Sequence, residues 1–77
     1  MLLEIITPDK KLFEGQVSEV KFPGTLWSFE VLINHAPLIS TLEAGNIRIR
    51  NSEEEVYVEI KGGLVEVLNN KIIVLAS

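Results

Sequence analysis

The sequence predicts an all-β fold: a flattened antiparallel β-sandwich or barrel of about ten short strands. Apolar and polar residues alternate with a period of two in several short segments. Successive side chains of a strand point to opposite faces, so this alternation is typical of strands with one buried face. Gly, Pro and Asn residues separate the segments, and none of them keeps a helical period over three turns. Many short strands with frequent turns indicate a sandwich or barrel.

The strand segments follow one another with little between them. In the first half, three segments rich in branched residues are predicted strands: LLEIIT (2–7), VSEVKF (17–22) and WSFEVL (27–32). The next two, NIRIR (46–50) and EVYVEIK (55–61), alternate strictly. Their inward side chains are expected to be Ile47, Ile49, Val56, Val58 and Ile60.

The last two segments predict a hairpin. LVEVL (64–68) and KIIVLA (71–76) are separated by Asn69-Asn70, and asparagine tolerates the left-handed backbone of a tight turn. KIIVLA is apolar on both faces, which is typical of a central or doubly covered strand. Earlier in the chain, Pro23-Gly24 suits the central positions of a type II turn, because Pro presets φ and Gly accepts positive φ.

Length and composition exclude several function classes. With 77 residues, the chain is expected to form one domain spanning residues 1–77. Its 47% apolar content is too high for a disordered chain, and its net charge of −4 disfavours nucleic-acid binding. Without cysteine and with one histidine, neither a disulfide, a metal site nor a cofactor site is expected. The apolar runs are shorter than the ~20 residues of a membrane span, and MLLEIITPDKK is interpreted as a mature start and not as a signal peptide.

His35 is the natural candidate for catalysis, and the sequence argues against it. A nucleophile needs an activating base that is itself oriented by a third group. The hydroxyls nearest in sequence belong to Ser28, Ser40 and Thr41, and none stands in an elbow or triad motif. We therefore expect no catalytic residue and interpret His35 as a turn residue that packs against Pro37.

Trp27, the only tryptophan, follows the Pro23-Gly24 turn and has two interpretations. In one, it folds back and covers the thin end of the core, where burial of its large ring stabilises the domain. In the other, it stays exposed as an anchor for a partner, since Trp is enriched at interface hot spots. The sequence leaves both open.

A set of motifs in fixed order carries a resemblance to a known family. They are Thr7-Pro8, LFEGQVSEVKFPG (12–24), FEVLINHAPLISTLEAGNIRI (29–49), GGLVEV (62–67) and NKIIVLA (70–76). Together they resemble the N-terminal β-sandwich of the epsilon subunit of F-type ATP synthase. NHAPLI combined with GG-x-x-EV is far more specific than either motif alone, and the resemblance extends over essentially all 77 residues.

The resemblance implies a non-catalytic role in the central rotor stalk. In that family the domain packs against the gamma subunit and sits on the c-ring, so these two are the expected partners. The loop expected to face the c-ring consists of Gly24, Thr25, Leu26, Trp27 and Ser28. The corner expected to contact gamma and the ring consists of His35, Ala36, Pro37 and Leu38. The resemblance also implies a peripheral location at the cytoplasmic face of a bacterial inner membrane, with membrane association only through the complex.

The chain departs from the family pattern in two respects. The family loop reads Pro-Gly-x-x-Gly-x-Phe-Gly, whereas Trp27 and Glu30 stand at its two later glycine positions and Ile33 replaces a common proline. A Cβ atom restricts positive φ, so we expect a different loop shape. Family members commonly continue into a C-terminal helical hairpin, whereas this sequence stops at VLAS. Inhibition of ATP hydrolysis and nucleotide binding by such a hairpin are therefore not expected.

A carrier domain of the lipoyl or biotinyl type is the alternative interpretation, because such domains are also small all-β sandwiches. A carrier needs a modifiable lysine at a hairpin tip. Lys61 and Lys71 flank predicted turns, but both lack the acidic or methionine neighbours expected of a carrier lysine.

Overall fold

Nine strands form two sheets in the computed structural model, which describes residues 1–23, 37–52 and 54–77 and the backbone of 29–32. In chain order they are β1 (Leu2–Ile6), β2 (Lys11–Gln16), β3 (Glu19–Phe22), β4 (Phe29–Leu32), β5 (Leu38–Leu42), β6 (Gly45–Asn51), β7 (Glu54–Ile60), β8 (Gly63–Leu68) and β9 (Lys71–Ala76). No helix occurs in these ranges, and none of their segments is a helix long and apolar enough to cross a membrane. The all-β prediction is confirmed.

The strand order is β2-β1-β9-β8-β5 in the five-stranded sheet and β4-β3-β6-β7 in the four-stranded sheet. Within the described residues, every strand pairing except that of β1 with β9 is antiparallel. β1 and β9 are parallel, with Leu3 opposite Ile72 and Ile5 opposite Val74. Only adjacent antiparallel strands can be joined by a short turn, and here the whole domain intervenes between the first and last strands. This pair is the one exception to the predicted antiparallel arrangement.

One hydrophobic core lies between the sheets, and the alternating segments face it as predicted. Ile47, Ile49 and Ile60 are buried. Val58 is half-buried, and Val56, on the same face of the edge strand β7, is 39% exposed. Burial therefore decreases along β7 from Ile60 towards the β6–β7 turn. The largest fully buried side chains of the core are Phe22, Leu3, Ile5, Ile47, Ile49 and Ile72.

β9 is the central strand of its sheet, as its apolar sequence predicts, and its two faces differ. Ile72, Val74 and Ala76 are buried in the core. Leu75, on the opposite face, is 54% exposed, and Ile73 is half-buried. The central position is confirmed, whereas coverage of both faces does not hold among the described residues. The five-stranded sheet therefore presents apolar side chains outward.

Asn69 and Asn70 form the turn between β8 and β9, where Leu68 pairs with Lys71. Their φ angles are 49° and 62°, so both residues adopt the left-handed conformation. Left-handed conformations at both central residues are typical of a type I′ turn, whose twist matches that of the flanking strands. The predicted hairpin is confirmed.

Asn70→Val is expected to lower the free energy of unfolding by about 1–2 kcal/mol, because a β-branched residue is strained at positive φ. Asn70→Gly, which accepts this φ without strain, should stay within about 0.5 kcal/mol of the parent chain. Urea unfolding followed by circular dichroism compares the two. Equal stability of both variants would contradict a left-handed residue at this turn.

Candidate functional site

The residues predicted to bind partners fall mostly outside the described part of the chain. Residues 24–28, His35 and Ala36 all lie outside it, so the loop prediction and both interpretations of Trp27 stay predictions. Pro37 is exposed immediately before β5. Leu38 begins β5, pairs with Val67 and packs against the hydrophobic core. Of the two corner residues that the structure describes, Pro37 is therefore exposed and Leu38 faces the core.

The polar groups of the described residues do not assemble into a reaction centre. No group of three or more His, Asp or Glu residues there is arranged to hold a metal ion. The Ser18 hydroxyl donates to the Arg50 carbonyl at 2.9 Å, and the Ser40 hydroxyl donates to the Thr41 carbonyl at 3.1 Å. These hydroxyls stabilise the backbone, and neither is hydrogen-bonded to a base.

The outer face of the four-stranded sheet carries charged side chains of both signs, which pair with one another. The Arg48 guanidinium lies 2.8 Å from the Glu19 carboxylate and 3.8 Å from that of Glu55. Arg50 lies 3.8 Å from both of these carboxylates. Tyr57, exposed on the same face, donates a hydrogen bond to Glu55 at 3.1 Å. Alternating charges with mutual pairing are typical of a sheet face in contact with water.

The outer face of the five-stranded sheet is different. We call the exposed or half-buried apolar side chains on the outer side of its strands β5, β8 and β9 the apolar outer face: Ile39 on β5, Leu64 and Leu68 on β8, and Ile73 and Leu75 on β9. The β pairing brings these strands side by side, with Leu64 opposite Leu75. Ile39, the most exposed of the set at 67%, follows the exposed Pro37 by two residues. Contiguous exposed apolar residues on a small domain mark an interaction surface.

The polar boundary of this surface lies at β1 and β2. Lys11 Nζ is 3.0 Å from Glu14 and 3.2 Å from Glu4. The hydrogen bond to Glu14, followed by that to Glu4, raises the pKa of Lys11 above its ordinary value. The charges of Glu4, Lys11 and Glu14 are therefore paired beside the apolar outer face, whereas the other two outward residues of β1, Leu2 and Ile6, are apolar and half-buried.

The depression at the centre of the apolar outer face is too small for a typical ligand pocket. Its volume is about 120 Å³, and it is lined by Ile39, Leu64, Glu66, Ile73 and Leu75. Small-molecule sites usually enclose ~300–1,000 Å³. A depression of this size suits a single side chain of a partner protein, so the surface is a candidate for protein docking.

Sequence reasoning placed docking residues in the loop and the corner and missed the apolar outer face. A signal for it was present: Leu64 and Leu68 occupy outward positions of one strand, and Ile73 and Leu75 those of the next. Considered one strand at a time, these outward apolar residues predict only that both faces of β9 are covered. Their exposure follows from the absence of a third layer over this sheet among the described residues.

Comparison with known proteins gives consistent relatives over the whole chain. The family model for the ATP synthase delta/epsilon chain, β-sandwich domain, matches residues 1–77. The chain is 40% identical to the ATP synthase epsilon chain of Maridesulfovibrio salexigens over 77 residues, covering 100% of this chain and 54% of that one. It is 45% identical to the epsilon chain of Pelotomaculum thermopropionicum over 75 residues, covering 97% and 56%. The chain thus spans about half the length of these curated relatives.

Solved structures show the same fold at low sequence identity. A chain in the cryo-EM structure of the Euglena gracilis mitochondrial ATP synthase, OSCP/F1/c-ring, superposes with a TM-score of 0.89 at 16% identity, covering 99% of this chain and 49% of that one. A chain in the Tetrahymena thermophila mitochondrial ATP synthase, central stalk and c-ring, superposes with a TM-score of 0.80 at 23% identity, covering 99% and 62%. The match of sequence, domain and fold confirms the resemblance drawn from the motifs, and the chain belongs to the delta/epsilon-chain β-sandwich domain family of ATP synthases.

Proposed function

We propose that the chain is a non-catalytic subunit of the central rotor stalk of a proton-translocating F-type ATP synthase. It docks on the gamma subunit and the c-ring and couples rotation to ATP synthesis. The observation that carries the proposal is the family match over residues 1–77, since the named relatives are ATP synthase epsilon chains.

The architecture supports a docking role. A rotor coupling needs a stiff body whose contact surfaces keep a fixed geometry, and two hydrogen-bonded sheets around one core provide it. The apolar outer face supplies exposed apolar side chains, and their removal from water on binding is favourable. Ile39 of this face lies two residues beyond Pro37, and both residues are exposed.

The proposed contacts follow the family positions. The loop from Gly24 to Ser28 faces the c-ring, and the corner from His35 to Leu38 contacts gamma and the ring. The chain then lies at the cytoplasmic face of a bacterial inner membrane and is held there through the complex. No observation on Lys61 or Lys71 favours the carrier-domain alternative: both are exposed, at the β7–β8 bend and at the start of β9.

The proposal predicts that the tagged chain recovers gamma and the catalytic-head subunits from its source cell. Trp27→Ala and His35→Ala are expected to weaken assembly at least about tenfold, because truncation of an interface anchor typically costs 1–2 kcal/mol or more. Tyr57→Ala is the matched control, since this exposed aromatic lies on the charged face of the other sheet. Thermal melts establish that each variant folds.

Two results would count against the proposal. Failure of the folded parent chain to recover any ATP synthase subunit contradicts the rotor function. Normal assembly of both folded variants contradicts the assignment of these two residues alone.

A further inference from the structure

Glu66 occupies the middle of the apolar outer face. It lies on β8, opposite Ile39 on one side and Ile73 on the other. Leu64 and Leu68 precede and follow it by two residues, so they lie on the same side of the sheet. The Glu66 side chain therefore has apolar neighbours on four sides.

This carboxylate differs from the other two glutamates on the outer side of the same sheet. Glu4 and Glu14 each lie within 3.2 Å of Lys11. Glu66 forms no ion pair with any residue in the described ranges. Lys71 is its diagonal neighbour across β8 and β9 and lines the same depression of about 260 Å³, yet the two side chains are not paired. Among the described residues, the Glu66 carboxylate thus has no counter-charge within ion-pair distance.

Glu66 is exposed, so a partner that covers the surrounding apolar residues also removes this carboxylate from solvent. A buried carboxylate without a counter-charge is strongly unfavourable, whereas pairing with hydrogen bonds offsets much of the loss. An entirely apolar partner is therefore rejected. A second copy of this chain is disfavoured as well, since a two-fold contact through this face brings two Glu66 carboxylates together.

We propose that Glu66 selects the docking partner of the apolar outer face, which must present an Arg or Lys side chain within an apolar protein surface. The inference rests on the proposed function and adds the chemistry of the partner at this face. The depression of about 120 Å³ beside Glu66 has apolar walls and a carboxylate, which match the aliphatic stem and charged head of such a side chain. Arg fits best, because its planar fork donates two parallel hydrogen bonds to one carboxylate.

Binding to the purified ATP synthase catalytic head, prepared with gamma and without the epsilon chain, tests the proposal. Glu66→Gln is expected to weaken binding at least about tenfold and Glu66→Lys at least about 100-fold, since removing one member of a covered charge pair leaves the other unpaired. Glu59→Gln is the matched control: this exposed carboxylate lies on the other sheet and should change binding less than about twofold. The melting temperature of Glu66→Gln should be unchanged, because the side chain is exposed.

Leu75→Ser removes an apolar contact of the same face and tests whether this face forms a contact with a partner or with a second copy of the chain. If the parent chain does not bind the head, the proposed function is wrong and the inference falls with it. If the parent chain binds and Glu66→Gln binds equally well, only the inference is overturned, whether or not Leu75→Ser weakens binding. Sedimentation of the parent chain as a dimer that Leu75→Ser dissociates would assign the face to a second copy and also overturn the inference.

Discussion

Gly63→Ala is expected to lower the free energy of unfolding by about 3–5 kcal/mol, the largest effect among Gly→Ala changes at the glycines that the structure describes. A Cβ atom on Gly63 would lie 2.3 Å from the Leu75 carbonyl oxygen and 3.0 Å from the Ala76 Cα. Both obstacles belong to the backbone of β9, the central strand, which cannot move aside without breaking its pairing. The φ of 154° adds strain for any residue with a side chain.

Thermal or urea unfolding measures this effect against two other glycines. A 77-residue domain has a free energy of unfolding of roughly 4–12 kcal/mol, so Gly63→Ala should melt about 15 °C or more below the parent chain. Gly62→Ala meets no atom closer than 3.4 Å but has a φ of 143°, and should lose about 1–2 kcal/mol. Gly15→Ala meets only the Phe13 ring at 3.7 Å and should be neutral or slightly stabilising. A Gly63→Ala variant as stable as Gly15→Ala would contradict the close approach of β8 to β9.

Ile72→Ala is expected to lower the free energy of unfolding by about 2–5 kcal/mol, because it removes buried methyl groups and leaves a cavity. Ile72 is fully buried and pairs with Leu3 of β1 and Val67 of β8 across the sheet. These neighbours are parts of hydrogen-bonded strands, so the space is not readily filled by their movement. In a domain this small, such a loss approaches the whole stability.

The matched control is the same change at an exposed position. Ile39→Ala, on the apolar outer face, should lose less than about 1 kcal/mol, since its side chain is 67% exposed. The same variant should weaken docking if the apolar outer face is an interface. Urea unfolding of both variants provides the comparison. Equal losses of stability would mean that a further layer covers the outer face as well.

Stability and docking are expected to depend on different residues, because the five-stranded sheet has one buried face and one outer face. Ile72 and Ile73 are adjacent in sequence, yet the first is fully buried and the second is half-buried on the outer face. An antiparallel sheet with one solvent-exposed face usually carries polar residues at its outward positions. The four-stranded sheet follows that rule with Glu19, Arg48 and Arg50. The five-stranded sheet departs from it at the apolar outer face and, on β1, at the half-buried Leu2 and Ile6, so these outward apolar residues call for a role outside the fold.

The candidate site residues also differ in whether the sequence or the tertiary structure identifies them. Motif position alone named the Gly24–Ser28 loop and the corner, and these assignments stay predictions. Of the corner residues within the described chain, Pro37 is exposed and Leu38 packs on the core, because successive residues of an extended segment face opposite ways. In the sequence, Glu66 is the central residue of the LVEVL segment, and its near neighbours do not distinguish it from other outward charges. Its isolation depends on Ile39 and Ile73, which are 27 and 7 residues away in sequence.

By itself, the sequence determined seven of the nine strands that the structure describes, the Asn69-Asn70 turn, the inward side of the alternating segments and the family, because alternation and turn chemistry act over a few neighbouring residues. It did not identify β2 and β5 as strands. The tertiary structure decided the order of the strands, and with it the parallel contact of β1 with β9, the crowding at Gly63 and the apolar surroundings of Glu66. Each of these joins residues distant along the chain. Which strands become neighbours is set by burial of the whole core, and no local pattern contains that information.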